Sequence, residues 1–239
     1  MARARMTRSE LKSRDEITTT LASFTEKALF RKKEILIAAA VLVALAGLWF
    51  GWRYSVSLKN ADAQAQLARV ITAFQNPAVK VDKERFEKAI VEAQKTMKDF
   101  PSTQAASLAQ YYLALSQDGL GDAPNAVKNL EEVIGRGDTA TRPIAQFALA
   151  SVYKRNAEPQ KAVDILKQLE ASGSFTKGMV VYELGVSAEA ANQKDVAQAA
   201  YTKVVKELPD SAFRPDAETA LKRMGLPVPV PEPTQIEVK

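Results

Sequence analysis

The sequence predicts an all-α protein in which one N-terminal transmembrane helix precedes an α-solenoid of about four repeats and a C-terminal capping helix. Residues 35–52 are 18 consecutive residues without a charge. Beyond residue 54 there is hardly any β pattern, and windows rich in alanine, leucine and lysine are separated by short breaks of Gly, Pro, Asn and Asp. A small residue recurs in these windows at separations of 37, 36 and 35, at Ala89, Ala126, Ala162 and Ala197.

The N-terminal segment, residues 1–34, is predicted to be a basic cytoplasmic segment. It carries nine Lys or Arg against five acids, whereas the other 205 residues carry 24 against 23. A nearly neutral main body lacks the basic face that nucleic-acid binding needs, so no nucleic-acid partner is expected. Ile17, Leu21, Phe24 and Ala28 fall at helical spacing, which fits a surface-lying amphipathic helix or a docking element and, equally, a poorly ordered tail.

Residues 35–54 are predicted to form the transmembrane helix. At ~1.5 Å per residue the uncharged stretch reaches roughly 27 Å, close to the ~30 Å hydrocarbon core of a bilayer. Basic residues precede it and aromatic residues cluster at its other end, which predicts a cytoplasmic N-terminus and membrane-lipid contact along residues 35–54. These flanking residues are Arg31, Lys32, Lys33, Trp49, Trp52 and Tyr54.

Two other interpretations of the apolar stretch are disfavoured. A buried helix of a soluble protein would not be apolar all round with cationic and aromatic flanks. A cleaved signal peptide would not have a positive region of 34 residues and so long an apolar core. An uncleaved anchor is therefore expected, with the rest of the chain across the membrane.

The repeated windows contain a second regular feature, a leucine followed by a small residue upstream of each later alanine. Small residues at both places let two antiparallel helices approach closely, while leucine fills the space between repeats. Pro101 and Pro209 each come 12 residues after the alanine of their window and are expected to stop a second helix. The leucine pairs and two associated aromatic residues are Leu113-Ala114, Leu149-Ala150, Leu184-Gly185, Tyr153 and Tyr201.

This pattern resembles the tetratricopeptide repeat over about residues 83–211. The resemblance implies a small right-handed solenoid, whose first unit takes a long helix of about residues 55–76 as its leading partner. The repeats are degenerate, because the first-helix tryptophan position holds Gln110, Gln146 and Val181. The repeat-like domain is expected to cover residues 55–225. Arg214 to Met224 is expected to cap it, and residues 226–239, which begin LPVPVPEP, form a Pro-rich flexible tail.

The stretch GLGDAPNAV, residues 119–127, has glycines that could suggest a phosphate-binding loop. A dinucleotide fingerprint would need a third glycine where Pro124 stands, and Gly-Lys-Ser/Thr is absent. The stretch instead matches an interhelical turn, with Gly121 left-handed and Asp122 or Asn125 capping the next helix.

The composition argues against an enzyme. The chain has no histidine and no cysteine, so the commonest general base, the thiol nucleophiles and the commonest zinc ligands are missing. No catalytic residue, metal site or cofactor is predicted.

The predicted partner site is a protein-binding groove along the first helices of the repeats, the concave side of such a solenoid. The residue three positions before the small residue of each leucine pair (Ala114, Ala150 and Gly185) is aromatic. The residues one helical turn away on either side of that aromatic residue are mostly aliphatic. The pattern fits an apolar groove for a segment of another protein; equally, these side chains could pack against neighbouring helices. The groove residues are Leu108, Tyr111, Leu115, Ile144, Phe147, Met179, Tyr182 and Val186.

The whole layout resembles the YfgM-like family of bacterial inner-membrane proteins, most closely in VYELGVSAEAANQKDVAQAAYTKVVKEL and in TRSELKSRDE before the anchor. That resemblance implies a single-pass inner-membrane protein with a periplasmic C-terminal domain. It also implies an ancillary subunit of the Sec translocon that passes emerging clients to periplasmic chaperones. The alternative is a structural or assembly subunit of another inner-membrane complex, respiratory, photosynthetic or division-related.

Overall fold

The computed structural model describes residues 32–76, 82–136 and 139–230, and within these residues the chain forms nine α-helices and no strand. The predicted all-α class is therefore confirmed. The basic segment before residue 32, with its helical spacing of Ile17, Leu21, Phe24 and Ala28, lies outside the described residues. The helices are α1 Lys32–Gln75, α2 Asp82–Asp99, α3 Gln104–Gly119, α4 Ala123–Gly135, α5 Arg142–Arg155, α6 Pro159–Ser172, α7 Lys177–Ala190, α8 Lys194–Glu207 and α9 Arg214–Arg223.

The chain divides into two compact units, residues 1–58 and residues 59–239, and α1 contributes to both. In the first unit every described side chain between Leu36 and Leu58 is exposed, including both tryptophans. By length and composition α1 is one helix able to cross a membrane, and the apolar stretch of its candidate span Ala40–Gln75 is not buried. The predicted transmembrane helix and the predicted long helix after it form one continuous helix.

The second unit is built from antiparallel helix pairs that follow one another along the chain. Helix α3 pairs with α4, α5 with α6 and α7 with α8, each pair packs on the next, and α9 packs on α8. The last third of α1 acts as the leading helix of the first pair, as predicted: Leu67 and Val70 are buried in one cluster with Ala93 of α2 and Ala109 of α3. Gln66 of α1 also donates a hydrogen bond to Glu92 of α2, at 3.0 Å.

The recurring small residues lie where the paired helices touch. Ala89, Ala126, Ala162 and Ala197 are all fully buried. In the last pair the approach is closer still, since a Cβ added to Gly185 would come within 2.5 Å of the Tyr201 ring. Pairing of antiparallel helices through small residues is therefore confirmed. The leucines that fill the space between repeats are also buried, namely Leu113, Leu149 and Leu184.

The turns inside three successive pairs share one geometry. Gly121, Ala157 and Asn192 each have a positive φ, at 83°, 60° and 58°. The next residue in each turn donates its amide to a carbonyl five residues earlier, as Asp122 does to Gln117 at 2.8 Å. The same bond recurs from Glu158 to Tyr153 at 2.9 Å and from Gln193 to Ala188 at 2.8 Å.

The predicted turn at GLGDAPNAV is confirmed in detail. Gly121 ends the first helix in the left-handed region, and Asp122 is the N-cap of α4. The Asp122 carboxylate accepts from the Asn125 amide, with Pro124 in the first turn of α4. Because a helix precedes this turn, it is a connector between two helices rather than the strand-to-helix loop of a phosphate site.

The C-terminal end of the solenoid is closed by α9, the predicted capping helix. Helices α2 and α8 end two residues before Pro101 and Pro209, as the prolines predict. From Leu226 to Val230 the chain has no regular secondary structure, yet Leu226 and Val228 pack against the main hydrophobic cluster. The boundary of the flexible tail at residue 226 stays a prediction, because residues 231–239 lie outside the described part of the chain.

Candidate protein-binding surface

The eight predicted groove residues lie on three consecutive first helices, α3, α5 and α7. Helix α3 contacts α5, and α5 contacts α7, so the three helices form one continuous layer. Every one of the eight side chains is half-buried, neither enclosed in the core nor fully exposed. We call this set the first-helix face: Leu108, Tyr111 and Leu115 on α3; Ile144 and Phe147 on α5; Met179, Tyr182 and Val186 on α7.

The half-buried state follows from the helical spacing. Residues three and four apart share a side of a helix, so a strip flanking the core-facing leucines turns partly outward. Most of the eight side chains pack against the main hydrophobic cluster, and Leu108 packs against the smaller cluster around α1 and α2. The first-helix face is therefore apolar, continuous with the core and partly accessible.

Two of the three aromatic residues on this face are covered by a ring from the loop that follows their helix pair. Phe147 stacks on Phe175, with ring centres 5.2 Å apart and planes 30° apart. Tyr182 stacks in the same way on Phe213, at 5.4 Å and 21°. One side of the Phe147 ring and one side of the Tyr182 ring therefore pack against the protein itself rather than facing a partner. Phe175 and Phe213 were not predicted from the sequence, although an aromatic residue one or two positions before the next helix was a visible signal.

Tyr111 has a different environment. Its ring meets the edge of Tyr112, at 5.4 Å between centres, and Tyr112 in turn contacts Phe74 of α1. The loop before α5 has Ala140 where the loop before α7 has Phe175, both two residues before their helix. In the described residues no loop ring stacks on Tyr111, so its ring contact comes from Tyr112 of its own helix rather than from a loop.

The tyrosine hydroxyls on this face stay neutral at physiological pH. Burial is the main cause that raises the pKa of Tyr111, with Tyr112 adding to it. Burial likewise raises the pKa of Tyr182, and nearby Asp216 adds to the effect. Both side chains therefore present an apolar ring with a hydroxyl that can donate or accept a hydrogen bond, a combination enriched at protein interfaces.

Ion pairs tie each first helix to the next. Lys154 of α5 donates to Glu183 of α7 at 2.6 Å, and Arg223 of α9 donates to Glu189 of α7 at 2.5 Å. A third pair, between Asp118 and Arg155, joins α3 to α5. Because these charges compensate one another, the first-helix face is dominated by apolar rather than electrostatic character.

No metal-binding arrangement is present in the described ranges, where no group of three or more acidic, histidine or cysteine side chains converges. The positions that a carboxylate-binding version of the repeat would use hold Leu108, Tyr112, Ile144, Ala148, Met179 and Glu183. These side chains bring no cationic group to the face, so its chemistry is that of apolar contact.

Comparison with known proteins agrees with this architecture. A family model described as "Tetratricopeptide repeat-like domain" matches residues 27–225, which include both α1 and the repeats. None of the curated proteins compared matches the chain. Among solved structures, the TPR-like repeats of a Podosopora anserina protein described as a kinesin light chain are similar, with 19% identity and a TM-score of 0.57. The match covers 70% of this chain and 88% of that one, and a single-substitution variant of the same protein gives identical values. At this identity the similarity concerns the fold alone.

Proposed function

This chain belongs to the tetratricopeptide repeat-like domain family, and on that premise we propose that it is a membrane-anchored module that binds a segment of another protein on its first-helix face. One observation carries the proposal. Half-buried aromatic and aliphatic side chains run without interruption along three consecutive first helices. Such a surface suits the aromatic anchors that dominate protein interfaces, and its side chains are apolar rather than charged.

The anchor is α1, in a single pass with the N-terminus in the cytoplasm. Its exposed apolar surface supports membrane insertion, because such a row of large apolar side chains is costly in water. The basic residues at its start and the aromatic residues toward its middle support the orientation. The repeats then lie in the periplasm of a bacterial inner membrane.

Within this framework we favour an ancillary role at the Sec translocon, in which the face receives emerging proteins and passes them to periplasmic chaperones. The resemblance to the YfgM-like family supports this role. The second candidate is a structural or assembly subunit of another inner-membrane complex. A solenoid that binds one fixed partner would use the same half-buried aromatic residues.

Crosslinking and co-purification separate the two candidates. A translocon accessory should crosslink to nascent secreted chains, and the signal should fall when translation is blocked. A structural subunit should instead co-purify in fixed stoichiometry with one complex and ignore nascent chains.

The binding face itself is tested by Tyr111→Ala combined with Tyr182→Ala. We expect at least tenfold weaker capture of the partner identified by crosslinking, since truncation of aromatic anchors commonly costs ~2 kcal/mol or more. Circular dichroism serves as the control for folding. Unchanged capture by a variant with native helicity would remove the face from consideration.

A further inference from the structure

The turn that ends α9 has the same geometry as the turns inside the helix pairs. Gly225 has a φ of 73°, in the left-handed region that the three turns inside the pairs also occupy. The Leu226 amide donates to the Leu221 carbonyl at 2.9 Å, again five residues earlier along the chain. Helix α9 therefore ends in the way that the first helix of a pair ends.

The chain after this turn does not continue as a second helix. Inside the pairs, the second helix begins two residues after the left-handed residue, at Ala123, Pro159 and Lys194. The corresponding position after α9 is Pro227, and no helix begins there or in the next three residues. Pro229 opposes a helix at this point, because the residue before a proline is disfavoured in the helical region.

An apolar segment stands where the second helix would begin. Inside the pairs, the first residue after the left-handed residue is a polar N-cap, whereas after α9 it is Leu226. Leu226 and Val228 are half-buried against the main hydrophobic cluster, and Pro227 between them is exposed. Side chains that alternate in this way are typical of an extended chain with one apolar edge. We call residues 226–230 the strap. The three polar N-caps are Asp122, Glu158 and Gln193.

The first half of α9 carries a charge pair where the earlier first helices carry a small residue. Seven residues before the left-handed residue those helices have a buried Ala or Gly, and a Cβ added to Gly185 would come within 2.5 Å of Tyr201 on the second helix. The same position in α9 is Glu218, whose carboxylate accepts from Arg214 at 2.8 Å. A side chain of this size leaves no room for a closely packed second helix.

We propose that the strap seals the C-terminal end of the solenoid and so keeps this end from packing against a second copy of the chain. The terminal unit of a solenoid exposes the apolar side that inner units bury against a neighbour, so an unsealed end promotes association. Leu226 and Val228 cover apolar surface where α9 ends, and the pair of Arg214 and Glu218 makes its first half polar. The strap does not depend on a partner at the first-helix face.

The first test compares Val228→Asp with Val230→Asp in the full-length protein in lipid nanodiscs. Both variants add the same charge to the strap, but Val228 is half-buried whereas Val230 is 82% exposed. We expect hydrogen exchange of the α9 amides to be about tenfold faster in Val228→Asp, because a carboxylate is not retained against an apolar cluster. Val230→Asp and Val228→Leu should exchange as the native chain does. Val228→Ser, a milder change, should accelerate exchange in the same direction.

Single cysteines test the association with a second copy. The native chain has no cysteine, so Thr219→Cys on the exposed side of α9 introduces a single thiol, and Lys167→Cys on the exposed side of α6 is the matched control. Under mild oxidation in liposomes we expect disulfide-linked dimers when Thr219→Cys is combined with Val228→Asp. The same cysteine combined with Val230→Asp, and Lys167→Cys in either background, should give few dimers.

Three results would overturn the proposal. Equal exchange of α9 in Val228→Asp and Val230→Asp would show that the strap does not hold this end of the solenoid. Strong crosslinking of Thr219→Cys with the native strap would show that the end is already open to a second copy. Faster exchange without additional dimers would show that the strap stabilises α9 without preventing association.

Discussion

Gly121, Ala157 and Asn192 occupy the same left-handed position in three successive helix pairs, yet only one of them is glycine. The position is forced by the Schellman-type hydrogen bond that ends each first helix. Glycine adopts this conformation without a steric penalty and asparagine tolerates it, whereas alanine is disfavoured there. The third repeat therefore keeps the turn at a local cost.

Replacing Ala157 by glycine should stabilise the protein. Relief of the left-handed strain outweighs the extra entropy of glycine in the unfolded chain, and we expect a gain of about 0.5–1 kcal/mol in the free energy of unfolding. Urea denaturation followed by circular dichroism measures it. Gly121→Ala is the matched control and should lose a similar amount. A glycine variant no more stable than wild type would show that the turn is not strained.

Tyr201 is the fully buried ring that packs against Gly185, and its hydroxyl donates to Glu189 at 2.7 Å. Burial, followed by that hydrogen bond, raises the pKa of Tyr201 in the folded protein. In the unfolded chain tyrosine ionises near pH ~10. Above that pH the unfolded state therefore holds fewer protons than the folded state, and the stability contributed by the neutral hydroxyl is lost as pH rises.

Tyr201→Phe should accordingly change the alkaline stability of the protein. At pH 7 we expect a loss of about 1 kcal/mol from the missing hydrogen bond. Above pH ~10 the wild-type free energy of unfolding should fall more steeply than that of the variant, by up to ~1.4 kcal/mol per pH unit. Thermal or urea unfolding between pH 7 and 11 measures both curves, and parallel curves would contradict the assignment.

At the scale of elements, the junctions between helix pairs combine apolar and ionic contacts. Loop rings cover Phe147 and Tyr182, and ion pairs such as Lys154–Glu183 join one first helix to the next. Partly exposed ion pairs contribute little, typically below ~1 kcal/mol. The rings and the buried leucines therefore supply most of the stability of each junction.

Phe175→Ala tests this ranking at the junction between the third and fourth pairs. The substitution removes the ring stacked on Phe147 and should cost about 2 kcal/mol, less than a fully buried phenylalanine because both rings are half-buried. Phe175→Leu keeps most of the apolar contact and should cost less than about 1 kcal/mol. Urea denaturation measures both. A smaller loss for alanine than for Glu183→Gln would reverse the ranking.

The elements that could be predicted from the sequence are those whose buried residues recur at a regular spacing. The fully buried alanines and leucines recur at nearly constant spacing, so the helix pairs, their order and the turn at Gly121 could be predicted. Phe175 and Phe213 lie in loops outside that period, and the groove pattern could not show which rings they cover. Gln110 was only a departure from the repeat pattern, whereas in the fold it is buried and its amide donates to Asn129 and Glu132.

At the scale of the whole molecule, one family match spans the apolar helix and the repeats, from residue 27 to residue 225. In the proposed function, the exposed apolar part of α1 contacts lipid, and the half-buried first-helix face contacts a segment of another protein. The proposed function requires both: an anchor that confines the module to a membrane, and a face that is incompletely covered by its own chain.

Site-specific photo-crosslinking in intact membranes tests the central claim most directly. A photoreactive phenylalanine analogue would replace Tyr111 on the first-helix face or, as a matched control, Lys167 on the exposed side of α6. We predict light-dependent adducts with a discrete protein partner from position 111 and none from position 167. Equal labelling from both positions, or no adduct from position 111 in a correctly inserted protein, would contradict the account.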